Sequence, residues 1–198
     1  MRKQKKSKEP NNIIICGVGG QGIILASDVL CQAAFLSGYD VKKSEVHGMA
    51  QRGGSVITHV RFGEAVHSPL IEQGTCHFML AFEKLEALRY TDYLRKDGHI
   101  IVDDREIPPM SVLIGNNKYP VDIEKKSRNF GVVHLIEATN IAFELGNLRV
   151  VNIILLGVLS NFLKLKEKCW QDAIRQNVKE RFIELNINAF DRGRELTG

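Results

Sequence analysis

The sequence predicts an α/β fold: a three-layer αβα arrangement around a Rossmann-like sheet, mostly parallel or mixed, with a helical C-terminal part. Three observations carry this. Ile13 to Cys16 form an apolar run that leads directly into Gly17, Gly19, Gly20 and Gly22, and a long apolar-periodic segment starts at Ile23. That is the order strand, tight turn, helix. Short apolar runs then alternate with helix-period segments as far as residue 145, and after Arg149 helical periodicity continues alone.

The elements can be read in order. Ile24, Leu25, Leu30, Ala34 and Phe35 share an apolar stripe on the first helix, and Gly38 is placed to stop it in the left-handed region. Tyr39 to Val46 is a strand, which completes a first βαβ unit and puts the glycine turn at the carboxyl edge of the sheet. Val56 to Phe62 alternates, with Val56, Thr58, Val60 and Phe62 on one face, as a half-buried strand towards an edge would. Val66 to Gly74 reads as a connection, His77 to Phe82 as a buried strand, Glu83 to Lys96 as a helix stopped by Gly98, and Ile100 to Val102 as a strand. Pro108-Pro109, Gly115 and Pro120 punctuate the next stretch, which leaves room for a strand at Val112 to Ile114. Gly131 to Ile136 is a strand, and helices follow at Glu137 to Leu145, Arg149 to Leu163 and Glu167 to Leu185. Asn186 to Gly198 is polar and is expected to fray or touch a neighbour.

Composition excludes several classes of function. The chain has 198 residues, 44% of them hydrophobic and 25% charged, which suits one globular domain over residues 13–198. Its net charge of +4 is carried entirely by a basic leader, Met1 to Asn12, expected to be disordered. The remainder is neutral, so a nucleic-acid face is not expected. The leader lacks an apolar core of the secretory type, and no run of about eighteen apolar residues predicts a membrane span. Cys16, Cys31, Cys76 and Cys169 stand far apart. They read as free thiols in a reducing cytoplasm rather than as metal or cluster ligands.

Two stretches hold the candidate chemistry. Gly17, Gly19 and Gly22 have the spacing of a dinucleotide-binding turn, but a strand-to-helix turn in any open sheet also needs glycine. Gln21 places an amide where such a site usually has something small. Ser44 to Val56 (SEVHGMAQRGGSV) sets His47, Gln51 and Arg52 among Gly48, Gly53 and Gly54, in a loop at the same sheet edge. Arg52 can present its fork to a phosphate or carboxylate, or pair with Glu45 and fix the loop. Glu45 also falls where a ribose-binding acid would sit in an NAD site. Each of the six histidines stands alone. Five lie in or beside strand-like runs as surface or satisfied residues, and His47 is a catalytic candidate only through its company.

Taken together, GVGGQG at Gly17 to Gly22 and EVHGMAQRGGSV at Glu45 to Val56 resemble the gamma-type domain of 2-oxoacid:ferredoxin oxidoreductases, the pyruvate/ketoisovalerate oxidoreductase catalytic-domain family. HGMAQRGGSV is most similar to the indolepyruvate branch. SPLI at Ser68 to Ile71, AFE-x-x-EALR at Ala81 to Arg89, ELGN-x-R-x-x-N-x-x-LLG from Glu144 to Gly157 and N-x-x-AF from Asn186 to Phe190 continue the likeness. His77 departs from it, standing where the family commonly has Asp.

The resemblance implies a subunit that holds no cofactor alone. Thiamine diphosphate with Mg and the iron–sulfur clusters would belong to a larger alpha subunit, CoA would be co-substrate, and electrons would leave to ferredoxin. The holoenzyme would convert an arylpyruvate to an aryl-acetyl-CoA. The surface facing ligand or partner would comprise Gly17, Gly19, Gly20, Gln21, Gly22, Glu45, His47, Gly48, Met49, Gln51, Arg52, Gly53, Gly54 and Ser55. The alternatives are a stand-alone NAD- or FAD-binding protein and a purely structural subunit.

Overall fold

A computed structural model of the chain describes residues 9–47 and 53–196, with His47 described through its backbone only. Six strands form one sheet in the order β2-β3-β1-β4-β5-β6. Strand β1 (Asn11–Val18) is central and buried on both faces, as a run of Ile13, Ile14, Ile15 and Cys16 requires. It pairs in parallel with β4 (Cys76–Ala81), β4 with β5 (Leu94–Asp103), and β5 with β6 (Val132–Ile136). On its other side β1 pairs antiparallel with β3 (Ser55–Gly63), which pairs antiparallel with the edge strand β2 (Asp40–His47). The sheet is therefore mixed.

Alternation sorts the core onto two faces. Ile13, Ile15, Val56, Val60, Phe62, Leu80, Ile101 and Ile136 pack against a thick helical layer, whereas Ile14, Cys16, Ile57, Met79, Ala81, Ile100, Val102 and Val133 pack against a thin one. The thick layer holds α1 (Ile23–Leu36) and, from the C-terminal part of the chain, α5 (Ala138–Glu144), α6 (Val151–Ser160), α7 (Glu167–Asn177) and α8 (Ile183–Glu195). The thin layer includes α2 (Lys84–Arg89), beside α4 (Ile123–Ser127). A one-turn helix, α3 (Met110–Leu113), lies in the segment between β5 and α4. Gly38 ends α1 at φ 81° as expected, but Ile24 and Phe35 are exposed rather than in its buried stripe.

Several boundaries differ from the sequence reading. The basic leader does not extend to Asn12: Asn11 and Asn12 open β1, and the buried Asn12 amide donates to the Thr75 carbonyl and accepts from Arg61 Nε. β3 is next to the edge strand β2, between it and β1, with His59 buried and accepting the Ile71 amide at Nδ1. The helix after β4 stops at Arg89, where the Thr91 hydroxyl takes the Leu88 carbonyl, and Leu94 to Lys96 already belong to β5. Val112 lies in α3 rather than in a strand, because Pro109 starts a turn whose carbonyl accepts from Val112 N. The helix expected over Glu167 to Leu185 is two helices, broken by extended backbone at Val178 and Lys179. The segment expected to fray is α8, whose Ala189, Phe190 and Gly193 are buried.

That break lets α8 return onto α6, all ten of whose residues are buried. The two helices touch at backbone distance. A Cβ on Gly157 would lie 2.2 Å from the Phe190 carbonyl oxygen, and one on Gly193 would lie 2.0 Å from that of Ile154. Ala in a helix is favoured over Gly by about 1 kcal/mol. Overpacking against rigid backbone costs about 3 kcal/mol, so the overlap wins. Gly193→Ala is expected to lower stability by about 2 kcal/mol net, read as a reduced urea midpoint with an unchanged slope.

On the same face, His99 Nδ1 and His134 Nε2 lie 3.0 Å apart, with the Phe162 ring against both and Phe78 stacked on His99. Burial holds both imidazoles below their ordinary pKa. Arg95 reinforces this at His99; His99 and Arg128 do so at His134. A histidine with a depressed folded pKa contributes stability that is present above its unfolded pKa of about 6.5 and is lost as pH falls through the folded value. The unfolding midpoint is expected to be flat between about pH 7 and 8 and to fall below about pH 6.5, with a shallower fall in the His99→Phe/His134→Phe double variant.

Candidate functional site

The site forms where β1 ends and β3 begins. Gly19 N–H donates to the Gly54 carbonyl at 2.8 Å, and Gly53 N–H lies 3.5 Å from the Gly19 carbonyl oxygen. The two glycine-rich stretches singled out in the sequence are thus joined at one sheet edge by backbone groups of Gly19, Gly53 and Gly54. Gly20 is exposed at φ 103°, with nothing within 4 Å of a Cβ position, so its glycine answers to conformation rather than space. Gly22, at the start of α1, packs against Asn152, whose amide donates to the Gly22 carbonyl at 3.2 Å. This contact ties the turn to α6.

Gln21 folds inward. Its Oε1 accepts from Val18 N–H at 2.7 Å, and its Nε2 donates to the Phe82 carbonyl at 2.8 Å, bridging the ends of β1 and β4. Gly17 leaves the room this needs, since a Cβ there would lie 2.7 Å from Gln21 Oε1. The amide expected to meet a ligand is engaged within the fold.

Glu45 does not occupy a ribose-binding position. In a dinucleotide site the strand carrying that acid adjoins the glycine-turn strand, whereas here β3 separates β2 from β1. Glu45 Oε1 lies 2.6 Å from Lys43 Nζ, which also holds Asp28 at 2.5 Å. His47 closes β2 opposite Val56. Gly48, Met49, Gln51 and Arg52 lie outside the described residues.

Sequence reasoning missed two buried carboxylates beside this edge. Glu86, 4% exposed, accepts the Ser55 hydroxyl and Arg89 Nε, and the Tyr90 hydroxyl lies 2.8 Å from Ser55 Oγ. Ser55 is the first residue of β3, so Glu86 fixes the outgoing end of the second glycine-rich stretch. Glu83, 1% exposed, caps α2 through the Glu86 amide at 2.8 Å and accepts from Ile107 N–H and the Tyr119 hydroxyl. The signal was present: two glutamates at capping-box spacing directly after a buried strand. Burial, and then the charge of Glu86, hold the Cys16 thiol well above its ordinary pKa, and burial pushes Cys76 up to about 12. These thiols are poor nucleophiles and ligands. Among the described residues no group of three His, Cys, Asp or Glu side chains could hold a metal ion, and the four cysteines do not form a cluster-binding set. No described helix is long and apolar enough to cross a membrane.

The pyruvate ferredoxin/flavodoxin oxidoreductase family model matches residues 12–196. The indolepyruvate oxidoreductase subunit IorB of Thermococcus kodakarensis is 42% identical over 188 residues, covering 92% of this chain and 93% of that one. The 2-oxoglutarate synthase subunit KorC of Methanothermobacter marburgensis is 30% identical, covering 93% and 95%. Among solved structures, the 2-oxoglutarate:ferredoxin oxidoreductase of Magnetococcus marinus has the same fold, with a TM-score of 0.75 at 23% identity. The likeness covers 96% of this chain and 31% of that longer one.

Gln21→Ala would leave the Val18 amide and the Phe82 carbonyl without their side-chain partner. It is expected to destabilise the chain by about 2 kcal/mol, and Gln21→Glu, which sets a carboxylate against the Phe82 carbonyl, by at least as much at pH 7. Urea unfolding of the isolated chain measures both.

Proposed function

The chain belongs to the pyruvate ferredoxin/flavodoxin oxidoreductase family, and from that premise we propose that it is the small subunit of a 2-oxoacid:ferredoxin oxidoreductase acting on indolepyruvate. Sequence similarity supports the substrate, since identity is higher to the indolepyruvate subunit than to the 2-oxoglutarate one. In the assembled enzyme, indolepyruvate, CoA and two oxidised ferredoxins give indoleacetyl-CoA, carbon dioxide, a proton and two reduced ferredoxins. Thiamine diphosphate and Mg, which would supply the decarboxylation chemistry, and the iron–sulfur clusters that pass on the electrons reside on the larger alpha subunit. The four cysteines of this chain, free and separated, favour that division of labour.

The observation that carries the reading is the hydrogen bond between Gly19 and Gly54. It makes one surface of two glycine-rich stretches at the carboxyl edge, where open α/β sheets receive ligands and partners. In this role the turn from Gly17 to Gly22, with Gln21 held inward, and the stretch from Glu45 to Ser55 face the alpha subunit. His47, Gly48, Met49 and Gln51 border that face, and Arg52 meets an anionic group of CoA or an alpha-subunit carboxylate. Asn152, Glu86 and Gln21 position the surface from behind.

Co-expression with the alpha subunit is expected to give a stable complex that reduces a viologen dye only when indolepyruvate and CoA are both present, while this chain alone is inactive. Failure to co-purify would overturn the proposal. Arg52→Ala in the complex is expected to raise KM for CoA about 10-fold with kcat within about twofold. An unchanged KM would remove CoA from the assignment.

A further inference from the structure

We infer that the arm between β5 and α4, residues 104–122, is a docking element whose apolar tip seats against the large subunit of the oxidoreductase complex; this rests on the subunit role proposed above. The arm buries none of the side chains of its one helical turn, α3. Met110, Leu113 and Ile114 are 69%, 67% and 62% exposed, and Val121 is 73% exposed. Scattered single apolar residues on a surface need no explanation, but Met110, Leu113 and Ile114 fall at i, i+3 and i+4 of one helical turn and so share a face. Exposed Asn116, Asn117 and Lys118 lie between them in sequence, which supplies the polar rim that usually surrounds an interface centre.

No side chain of α3 is fully buried, and the segment is anchored on either side of it. The buried Glu83 carboxylate accepts from both Ile107 N–H and the Tyr119 hydroxyl, one on each side of α3. Lys84 adds its amide to the Arg105 carbonyl at 3.1 Å and its ammonium to Asp104 and Glu106 at 2.7 and 2.9 Å. The arm is therefore held at its roots while Met110, Leu113 and Ile114 stay exposed. Preorganising a segment that covers nothing within its own chain lowers the ordering cost of binding something else.

Position selects the occupant. The arm leaves β5 after Asp103, and β5 runs parallel to β4 and β4 to β1, so it springs from the same sheet edge as the joined glycine stretches. A large subunit facing that edge meets both. The relatives are themselves subunits of oxidoreductases, which makes a large partner the natural cover.

The test uses the full chain and its co-expressed large subunit, with the dissociation constant measured by a concentration series. Met110→Gln/Leu113→Gln/Ile114→Gln is expected to weaken the complex about 100-fold while leaving the thermal midpoint of the isolated chain unchanged, because these side chains are exposed. Tyr119→Phe, which frees one root, is expected to weaken it about 10-fold. A Phe35→Gln/Phe143→Gln control, exposed apolar residues on α1 and α5, is expected to stay within about threefold. If the wild-type complex forms and the triple variant binds as tightly, the inference is overturned and the subunit role stands. If the triple variant alters only self-association of this chain, the tip is a face for a second copy, and the inference is overturned in that way. If the wild-type chain forms no complex, the subunit role itself fails and the inference falls with it.

Discussion

The organisation of this chain depends on an antiparallel strand inserted between the two arms of a βαβ unit. β3 separates β2 from β1, and its first residues carry the second glycine-rich stretch to the end of β1, where Gly19 donates to Gly54. In a dinucleotide-binding sheet the glycine turn stands open towards the next parallel strand. Here that flank is taken by β3, whose start is joined to the turn by the Gly19–Gly54 hydrogen bond. The same residues that resemble a nucleotide fingerprint are thus tied to the start of β3. The change follows from strand order, without any change in the glycine spacing.

Side chains behind the surface hold it at a fixed height. The Gln21 amide ties β1 to β4, Asn152 ties the turn to α6, and Glu86 holds Ser55 from below. Glu83 and Glu86 are three residues apart on one short helix, and they secure different neighbours, the arm through Tyr119 and Ile107 and the β3 start through Ser55. Buried carboxylates are costly unless their oxygens are satisfied. Each has donors from more than one segment, so each works as a junction between elements distant in sequence.

What could be read beforehand was whatever local periodicity controls. Ile13 to Cys16 as a central strand, the stop at Gly38, the break at Gly146-Asn147 and the all-apolar helix after Arg149 follow from period and turn chemistry. The placement of both glycine stretches at one edge was legible too. Pairing partners were not: nothing local says that β3 runs antiparallel between β1 and β2, or that His59 meets the Ile71 amide and Arg61 meets Asn12. Leu94 fits a helical stripe as well as a strand, and only its pairing opposite Cys76 decides. The inward fold of Gln21 and the burial of Glu83 and Glu86 depend on contacts dozens of residues away, which no local pattern encodes.

The backbone-distance contact of α6 and α8 through Gly157 and Gly193 also sets an order of events during synthesis. A helix with all ten residues buried cannot be covered on this side until residues 183–195 exist, about 35 residues after its own end. At ribosomal speeds of about 5–20 residues per second, that is a few seconds in which an apolar helix lacks its last neighbour. Gly157 and Gly193 let the two backbones meet, and Phe190 of the late helix must still enter the core beside Trp170. The nascent chain is thus most prone to aggregate just before its final helix emerges, and most easily rescued by a chaperone that shields α6 during that interval.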